Sequence, residues 1–242
     1  MQNLEVIGHL TNASNATLLV SDGENRYVYK PQSGERRLWD FPEGTLFKRE
    51  RAAYVLSELL GWDLVPQTVI DQGPLGIGSF QTWIEAQVNQ VDIFTPDEIP
   101  AHWLTITSGV DESGRRVTLA HSNSEDLKKI SLLDALMNNA DRKAGHLLTD
   151  ATGKTWAIDH GVTFNVEAKL RTVLWGWLDQ EIPANLLEQI ALAKEQIRTS
   201  ELKDLLAKDE LDELLDRFKV IVETKVFPEP SPNWPAVPWP IF

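Results

Sequence analysis

The sequence predicts an α+β fold in which an antiparallel sheet carrying one helix precedes a mainly helical region. Apolar and polar residues alternate in short runs over the first thirty positions, with turn-forming residues between the runs, which is typical of a strand meander. Apolar residues recur at helical spacing between residues 45 and 61. The same spacing returns more strongly at 184–197 and 201–218, so the second half of the chain is predicted to be mainly helical.

Three short strands are predicted to open the chain. Residues 4–21 form two strands around a small polar turn that contains Ser14 and Asn15. Residues 26–30 form a third strand, which alternates and ends in Lys30. A lysine at a strand end is more often solvated than functional, so Lys30 gains weight only in combination with other residues.

The predicted helix at 45–61 carries Glu50 in its first turns. Glu50 stands three positions before Ala53, so its side chain can point inward with part of the apolar face. Most helical glutamates are solvated, and this signal is also weak when taken alone.

Two further strands, 64–71 and 77–86, complete a five-stranded antiparallel sheet. The end of the second strand carries Trp83, Ile84 and Glu85. The following residues, 90–107, are predicted to be a connector with short helical pieces.

The stretch 138–161, which reads NNADRKAGHLLTDATGKTWAIDHG, concentrates ionisable groups after an amphipathic helix. Asp141, Lys143 and His146 lie in a polar elbow, and Asp159 follows the second strand of a short hairpin. A polar loop before a hairpin is the commoner interpretation of either motif alone. Two aspartates at the ends of consecutive elements, however, are a usual way to hold carboxylates at one site.

The chain is predicted to comprise an N-lobe at 1–86, a C-lobe at 87–226 and a C-terminal arm at 227–242. Prolines exclude a helix or a central strand from the arm, which reads FPEPSPNWPAVPWPIF. Its tryptophans and its last two residues favour an extended segment that docks on an apolar groove of the same chain or of a neighbour.

Composition limits the classes of partner. The chain has 242 residues with 36 acidic and 23 basic side chains, a formal net charge of −13, and no cysteine. Such a surface repels phosphate backbones and anionic headgroups, so nucleic acid and stable membrane association are not expected. The absence of thiols, of an apolar run long enough for a bilayer and of an evident signal peptide is compatible with the cytoplasm. Composition leaves the oligomeric state open.

The order of these residues fits the plan of a kinase. In that plan a lysine on the third strand binds nucleotide phosphates and pairs with a helix glutamate, and two acidic loops bring in the metal and position the acceptor hydroxyl. Lys30, Glu50, Asp141 and Asp159 occur in that order, and their spacings agree with one another.

Two sets of motifs resemble known families. NADRKAGH followed by AIDHG is similar to the D-R-H-x-x-N and I-D-x-G loops of phosphatidylinositol 3- and 4-kinase-type enzymes. FPEGTLFKRERAAYVLSELLGWDLVPQTV, GPLGIGSFQTW and LRTVLWGW resemble a family of small actinobacterial kinase-related proteins, over nearly the whole chain. The resemblance implies a minimal bilobal protein-kinase-like fold with ATP in the cleft and a divalent cation.

The resemblance also implies roles for individual residues. Asp141 orients or deprotonates the acceptor hydroxyl, and Asp159 binds the metal. Lys30 contacts the phosphates and pairs with Glu50. The remaining nucleotide contacts are expected from the first turn, which covers the phosphates, and from the strand end beside the adenine: Ser14, Asn15, Trp83, Ile84 and Glu85.

Two positions depart from the kinase motif. His146 stands where the motif has a metal-binding asparagine, and Lys143 stands where it has histidine. Imidazole is a softer ligand than an amide oxygen, which suggests Mn²⁺ in preference to Mg²⁺. His146 could instead be a structural residue, and Lys143 could neutralise the transferring phosphate or be merely exposed.

Charge and size favour a soluble small-molecule acceptor such as a polyol or a sugar. The alternatives are a phosphatidylinositol kinase-like lipid kinase, an autophosphorylating protein kinase and a nucleotide-binding pseudokinase. The missing asparagine motivates the last of these, whereas the presence of all four key residues argues against it.

Overall fold

A computed structural model describes residues 4–10 and 16–242. Its first sheet is antiparallel and has five strands, as the sequence predicts. The strands are β1 (Glu5–His9), β2 (Leu18–Ser21), β3 (Arg26–Pro31), β4 (Thr68–Gly73) and β5 (Gly76–Thr82). Their spatial order is β1-β2-β3-β5-β4. Apolar side chains on one face of this sheet form a small core of Leu18, Val20, Tyr29 and Phe80.

Helix α1 (Leu46–Leu59) connects β3 to β4. The chain reverses direction just after it at Gly61, whose φ of 66° lies in the left-handed region that glycine adopts without a steric penalty. The buried face of α1 includes Ala52, Ala53 and Leu56, which belong to the same core cluster as the helices of the second half. Apolar packing therefore groups α1 with the C-terminal region, and the boundary at residue 86 remains a prediction.

The helical connector predicted for 90–107 is wrong. This region contributes to a three-stranded antiparallel sheet in the order β6-β8-β7, made of β6 (Val91–Phe94), β7 (Trp103–Val110) and β8 (Arg116–Ser122). Thr105, Ile106 and Thr107 are β-branched and favour a pleated strand. Most of β7 is exposed, so the strand lacks the clear apolar alternation that would have marked it.

The remaining elements are mainly helical, as predicted. A predicted helix at 201–218 is interrupted, because Leu206 is extended (φ −115°, ψ 151°) and the Ala207 N–H is capped by Glu210 at 2.8 Å. The last helix continues beyond the predicted end at residue 218, to Thr224. The elements are α2 (Glu125–Met137), β9 (Leu147–Thr149), β10 (Thr155–Ala157), α3 (Ala184–Gln196), α4 (Leu202–Leu205) and α5 (Lys208–Thr224).

The C-terminal arm docks on its own chain. The backbone N–H of Thr172 donates to Ala236 O at 3.0 Å, and that of Ala144 donates to Ile241 O at 2.9 Å. Val237 and Ile241 pack against the main core. Within the described residues, no helix is both long and apolar enough to cross a membrane.

Candidate functional site

Lys30 lies next to the end of β3 and faces the first helix. Tyr29 is fully buried in the sheet core, and the alternation of strand side chains turns Lys30 to the opposite face. Its ammonium group donates to Glu50 Oε1 and, at 2.8 Å, to Asp159 Oδ1. The sheet, the helix and the segment after β10 therefore meet at a single lysine.

Glu50 is held from both sides. The backbone N–H of His160 donates to its second oxygen at 3.0 Å. The neighbouring Arg49 is buried, pairs with Glu210 of α5 and donates to Thr163 O at 2.6 Å. Helix α1 is thus fastened to the C-terminal region at the turn that carries Glu50.

Asp159 lies two positions after β10 ends and has a left-handed backbone, with φ of 60°. Aspartate visits this region more readily than most residues because its short side chain can make local hydrogen bonds. One carboxylate oxygen contacts Lys30, and the other lies 3.3 Å from His146 Nε2. The side chain is 47% exposed, so it remains accessible to a ligand.

A buried network positions the loop that carries Asp141. Helix α2 ends at Met137 and is capped by Asn138, which has a left-handed backbone with φ of 53°. Asn139 accepts the Asp141 N–H at 3.0 Å and donates to Asp134 at 2.9 Å. Arg142 forms a bidentate ion pair with Asp134, with donor–acceptor distances of 2.8 and 2.9 Å. The loop conformation is therefore fixed by side chains on both sides of Asp141.

Lys143 lies near Asp141, and His146 lies near Asp159. Lys143 Nζ lies 3.5 Å from Asp141 Oδ2. The Lys143 N–H donates to His146 Nδ1 at 3.4 Å, which leaves the proton of a neutral imidazole on Nε2, beside Asp159. Burial lowers the pKa of His146 to about 4 against the opposing effect of Asp159, so the ring is neutral near pH 7.

The charged groups shift one another strongly. Burial by itself lowers the pKa of Lys30, but the carboxylates of Asp159 and Glu50 outweigh it, and the net pKa is raised. For Asp159, burial acts to raise the pKa, and the nearby Lys30 reverses the effect so that the carboxyl stays ionised. Burial raises the pKa of Asp141, with Lys143 acting against it. Lys30 and Asp159 are therefore both ionised and carry opposite charges at the centre of the site.

A cavity of about 500 Å³ opens over these residues. Lys30, Glu50, Asp141 and Asp159 are among the residues that line it. The lining also includes residues that nothing in the sequence singled out: Trp39, Lys169, Arg171 and Trp234.

Five residues proposed from the sequence are not among those that line the cavity in the described part of the chain. Ser14 and Asn15 are outside the described residues. Trp83, Ile84 and Glu85 do not line this cavity; they follow β5, where the Trp83 N–H donates to Arg26 O and Glu85 pairs with the Arg26 side chain, both at 2.9 Å. Their assignment to the nucleotide remains a prediction.

The fit of the site to a divalent cation rests on two side chains. Asp159 and His146 face each other at 3.3 Å. Across residues 4–10 and 16–242, no group of three or more His, Cys, Asp or Glu side chains is arranged to hold a metal ion. Mg²⁺ is commonly held by one or two carboxylates and completes its shell with water and phosphate oxygens, so Asp159 fits a nucleotide-bound cation, whereas His146 fits one only when its proton lies on Nδ1.

Asp134 and Arg142 were missed as site residues. The position of Asp134 could have indicated that it is buried. It follows Ile130 by four residues and lies between Leu133 and Met137, on the apolar side of the helix that precedes residues 138–161. A buried acid at such a position needs a partner, and Arg142 lies immediately beside Asp141.

No protein-family model matches the chain. Protein Rv2133c of Mycobacterium tuberculosis is 39% identical over 99% of this chain and 92% of its own length. The chain therefore belongs to the family of Protein Rv2133c. Among solved structures, the proinflammatory kinase CtkA of Helicobacter pylori aligns over 93% of both chains with a TM-score of 0.49 and 12% identity.

Proposed function

We propose that this protein is an ATP-dependent kinase that phosphorylates a hydroxyl group of a soluble small molecule, such as a polyol or a sugar. The observation that carries the proposal is the position of Lys30 between Glu50 and Asp159, in the same cavity as Asp141. This is the arrangement that phosphoryl transfer requires, because catalysis consists mainly of positioning and charge neutralisation.

Lys30 binds the α- and β-phosphates in this proposal, and Glu50 holds its ammonium in place. Ser14 and Asn15 contact the phosphates from the first turn, and Trp83, Ile84 and Glu85 lie beside the adenine. These five assignments come from the resemblance of the motifs and are tested by nucleotide binding.

Asp141 receives the proton of the acceptor hydroxyl. The acceptor oxygen forms a bond to the terminal phosphorus, and the bond between that phosphorus and the diphosphate oxygen breaks. The raised pKa of Asp141, caused by its burial, makes the carboxylate a better proton acceptor. Lys143, 3.5 Å from Asp141, stabilises the negative charge on the group being transferred.

Asp159 and His146 are the residues that would hold a divalent cation, which neutralises phosphate charge when it is bound. The imidazole of His146 favours Mn²⁺ over Mg²⁺ as the preferred ion. To bind a cation through Nε2, the neutral ring must carry its proton on Nδ1. A proton on Nδ1 would remove the hydrogen bond that this atom accepts from the Lys143 N–H.

A nucleotide-binding pseudokinase is the second candidate. It is favoured by the position of the proton on Nε2 of the neutral His146 ring. A ring that donates from Nε2 to Asp159 supplies no ligand, and the site then holds nucleotide with one protein carboxylate. A protein kinase is less favoured because few residues separate Asp159 from the RTVLWGW motif, which leaves little room for peptide docking. The net charge of −13 disfavours an anionic lipid surface.

The test is an ATP-dependent phosphorylation screen of a metabolite mixture with Mn²⁺ or Mg²⁺. Wild type is compared with Asp159→Asn, with Asp141→Ala and with Asp212→Asn, a surface control on α5. A phosphorylated product that disappears in the first two variants and persists in the control supports the kinase. Nucleotide binding without ATP consumption above background would instead establish the pseudokinase.

A further inference from the structure

Part of the cavity wall has no role in the proposed phosphoryl transfer. Three separate parts of the chain contribute to it: the loop between β3 and α1, the segment that follows Asp159, and the C-terminal arm. They contribute Trp39, Lys169 and Trp234, respectively. Lys169 Nζ lies 4.6 Å from the ring centroid of each tryptophan.

The charges in this part of the cavity wall are largely paired within the protein. The Lys169 ammonium lies 2.8 Å from Asp40 Oδ2 and 3.0 Å from Glu167 Oε2, and its side chain is only 3% exposed. The Nε of Arg171 donates to Ala140 O at 2.6 Å. A wall of this kind offers hydrogen-bonding groups of both signs without an excess of either charge, which disfavours strongly charged ligands.

Each indole ring has one face against the Lys169 ammonium, and the rest of the two rings adds flat apolar surface to this polar wall. Trp39 is 83% exposed although it borders the cavity, and Trp234 is placed there by the arm. Flat apolar faces beside many donors and acceptors match a ring that carries hydroxyl groups on its edge and C–H groups on its faces.

The position of Asp141 relates this wall to the reaction. Arg171 contacts Ala140, the residue before Asp141, and both Arg171 and Asp141 line the same cavity. A ring lying against the tryptophans therefore occupies the same cavity as Asp141.

We propose that the part of the cavity beside Trp39, Lys169 and Trp234 is the acceptor site and that it takes a neutral, ring-shaped polyhydroxy compound of pyranose or cyclitol type. Trp234 is a specificity-determining residue of that site, so the C-terminal arm is part of the binding surface. The inference rests on the proposed function for the identity of the ligand as acceptor, and its binding is measurable without turnover.

The test is saturation-transfer NMR on the full chain without nucleotide. The probes are glucose and myo-inositol, with glycerol as an open-chain comparator and glucose 6-phosphate and glucosamine as charged comparators. Trp234→Leu is compared with wild type and with the matched control Trp239→Leu, since Trp239 lies on the same arm, is 84% exposed and is not among the residues lining the cavity.

A ring polyol is expected to bind wild type and Trp239→Leu equally, and Trp234→Leu about tenfold more weakly. Trp234→Phe, which keeps an aromatic face, should retain most of the affinity and serves if Trp234→Leu fails to fold. Binding that is unaffected by both Trp234 variants, preference for a charged or open-chain probe, or failure of both rings to bind would overturn the inference.

The kinase proposal fails separately from this one. If ring binding depends on Trp234 but the protein transfers no phosphate, the kinase proposal is contradicted and the ring-binding site stands. If phosphate is transferred to an acceptor whose binding does not depend on Trp234, the kinase proposal stands and the ring-binding site is contradicted.

Discussion

Arg142 and Asp134 form a bidentate ion pair whose two side chains are completely excluded from solvent. Arg142 also donates to Ile158 O at 2.6 Å, and it lies 2.9 Å from His160 Nε2. One guanidinium thus joins α2, the Asp141 loop and the segment that carries Asp159. This pair therefore links the loop of Asp141 to the segment that carries Asp159.

Replacing Asp134 with alanine should lower the free energy of unfolding by about 3–5 kcal/mol, because Arg142 would be left buried without its counter-ion. Denaturant unfolding measures this change. Asp212→Ala is the matched control, since Asp212 pairs with Arg198 at the surface and should contribute less than about 1 kcal/mol. Equal losses in the two variants would show that the buried pair does not hold the site together.

Lys30→Met should weaken ATP binding about tenfold to a hundredfold, because a charged contact to phosphate is lost. Calorimetric titration of the nucleotide analogue AMP-PNP measures the effect. Lys208→Met, at a lysine 91% exposed on α5, should bind as wild type does. Unchanged affinity in Lys30→Met would place the nucleotide elsewhere.

Metal preference should depend on His146. We expect wild type to be more active with Mn²⁺ than with Mg²⁺, and His146→Asn to lose this preference because an amide oxygen suits the harder ion. Electron paramagnetic resonance of Mn²⁺ in the presence of AMP-PNP supplies a readout independent of turnover. Full activity of wild type with Mg²⁺, without gain from Mn²⁺, would contradict the prediction.

Stability should fall on acidification partly through His121, which is fully buried. Its Nδ1 donates to Ser122 O at 2.8 Å, its Nε2 accepts the Gly176 N–H at 3.1 Å, and its ring lies beside Trp177. Burial lowers its pKa to about 4. Because the folded-state pKa is depressed, the unfolded chain takes up the proton first, and stability present above about pH 6.5 is lost toward pH 4.

The loss assigned to His121 is about 3 kcal/mol over that interval. Denaturant unfolding at several pH values should show a smaller pH dependence in His121→Gln than in wild type. His9→Gln is the control, because His9 is exposed. The same pH dependence in His121→Gln and in wild type would assign the acid sensitivity to other groups.

The order of Lys30, Glu50 and Asp159 along the chain matches the plan of a kinase, and that match predicted the pairing of Lys30 with Glu50, which the structure contains. The local patterns were weak when taken one by one. The contact between Lys30 and Asp159, which lie 129 positions apart, was not predicted, because the sequence suggested only a metal-binding role for Asp159.

Other parts could not be predicted because no local pattern encodes them. The strand β7 is mostly exposed and lacks apolar alternation. The meeting of Trp39, Lys169 and Trp234 depends on how three distant segments pack, and each residue alone resembles an ordinary surface aromatic or lysine. The arm was recognised from its prolines, but the choice between its own chain and a neighbour required the structure.

The ion pair of Arg49 with Glu210 bears on how activity could be controlled. Any outward swing of α1 that separated Glu50 from Lys30 would also pull Arg49 out of a buried contact and away from Thr163. Helices α1 and α5 are therefore expected to move together. Rotation of α1 alone is disfavoured, so any control of the proposed activity is expected to act on other parts of the molecule than the pair of Lys30 and Glu50.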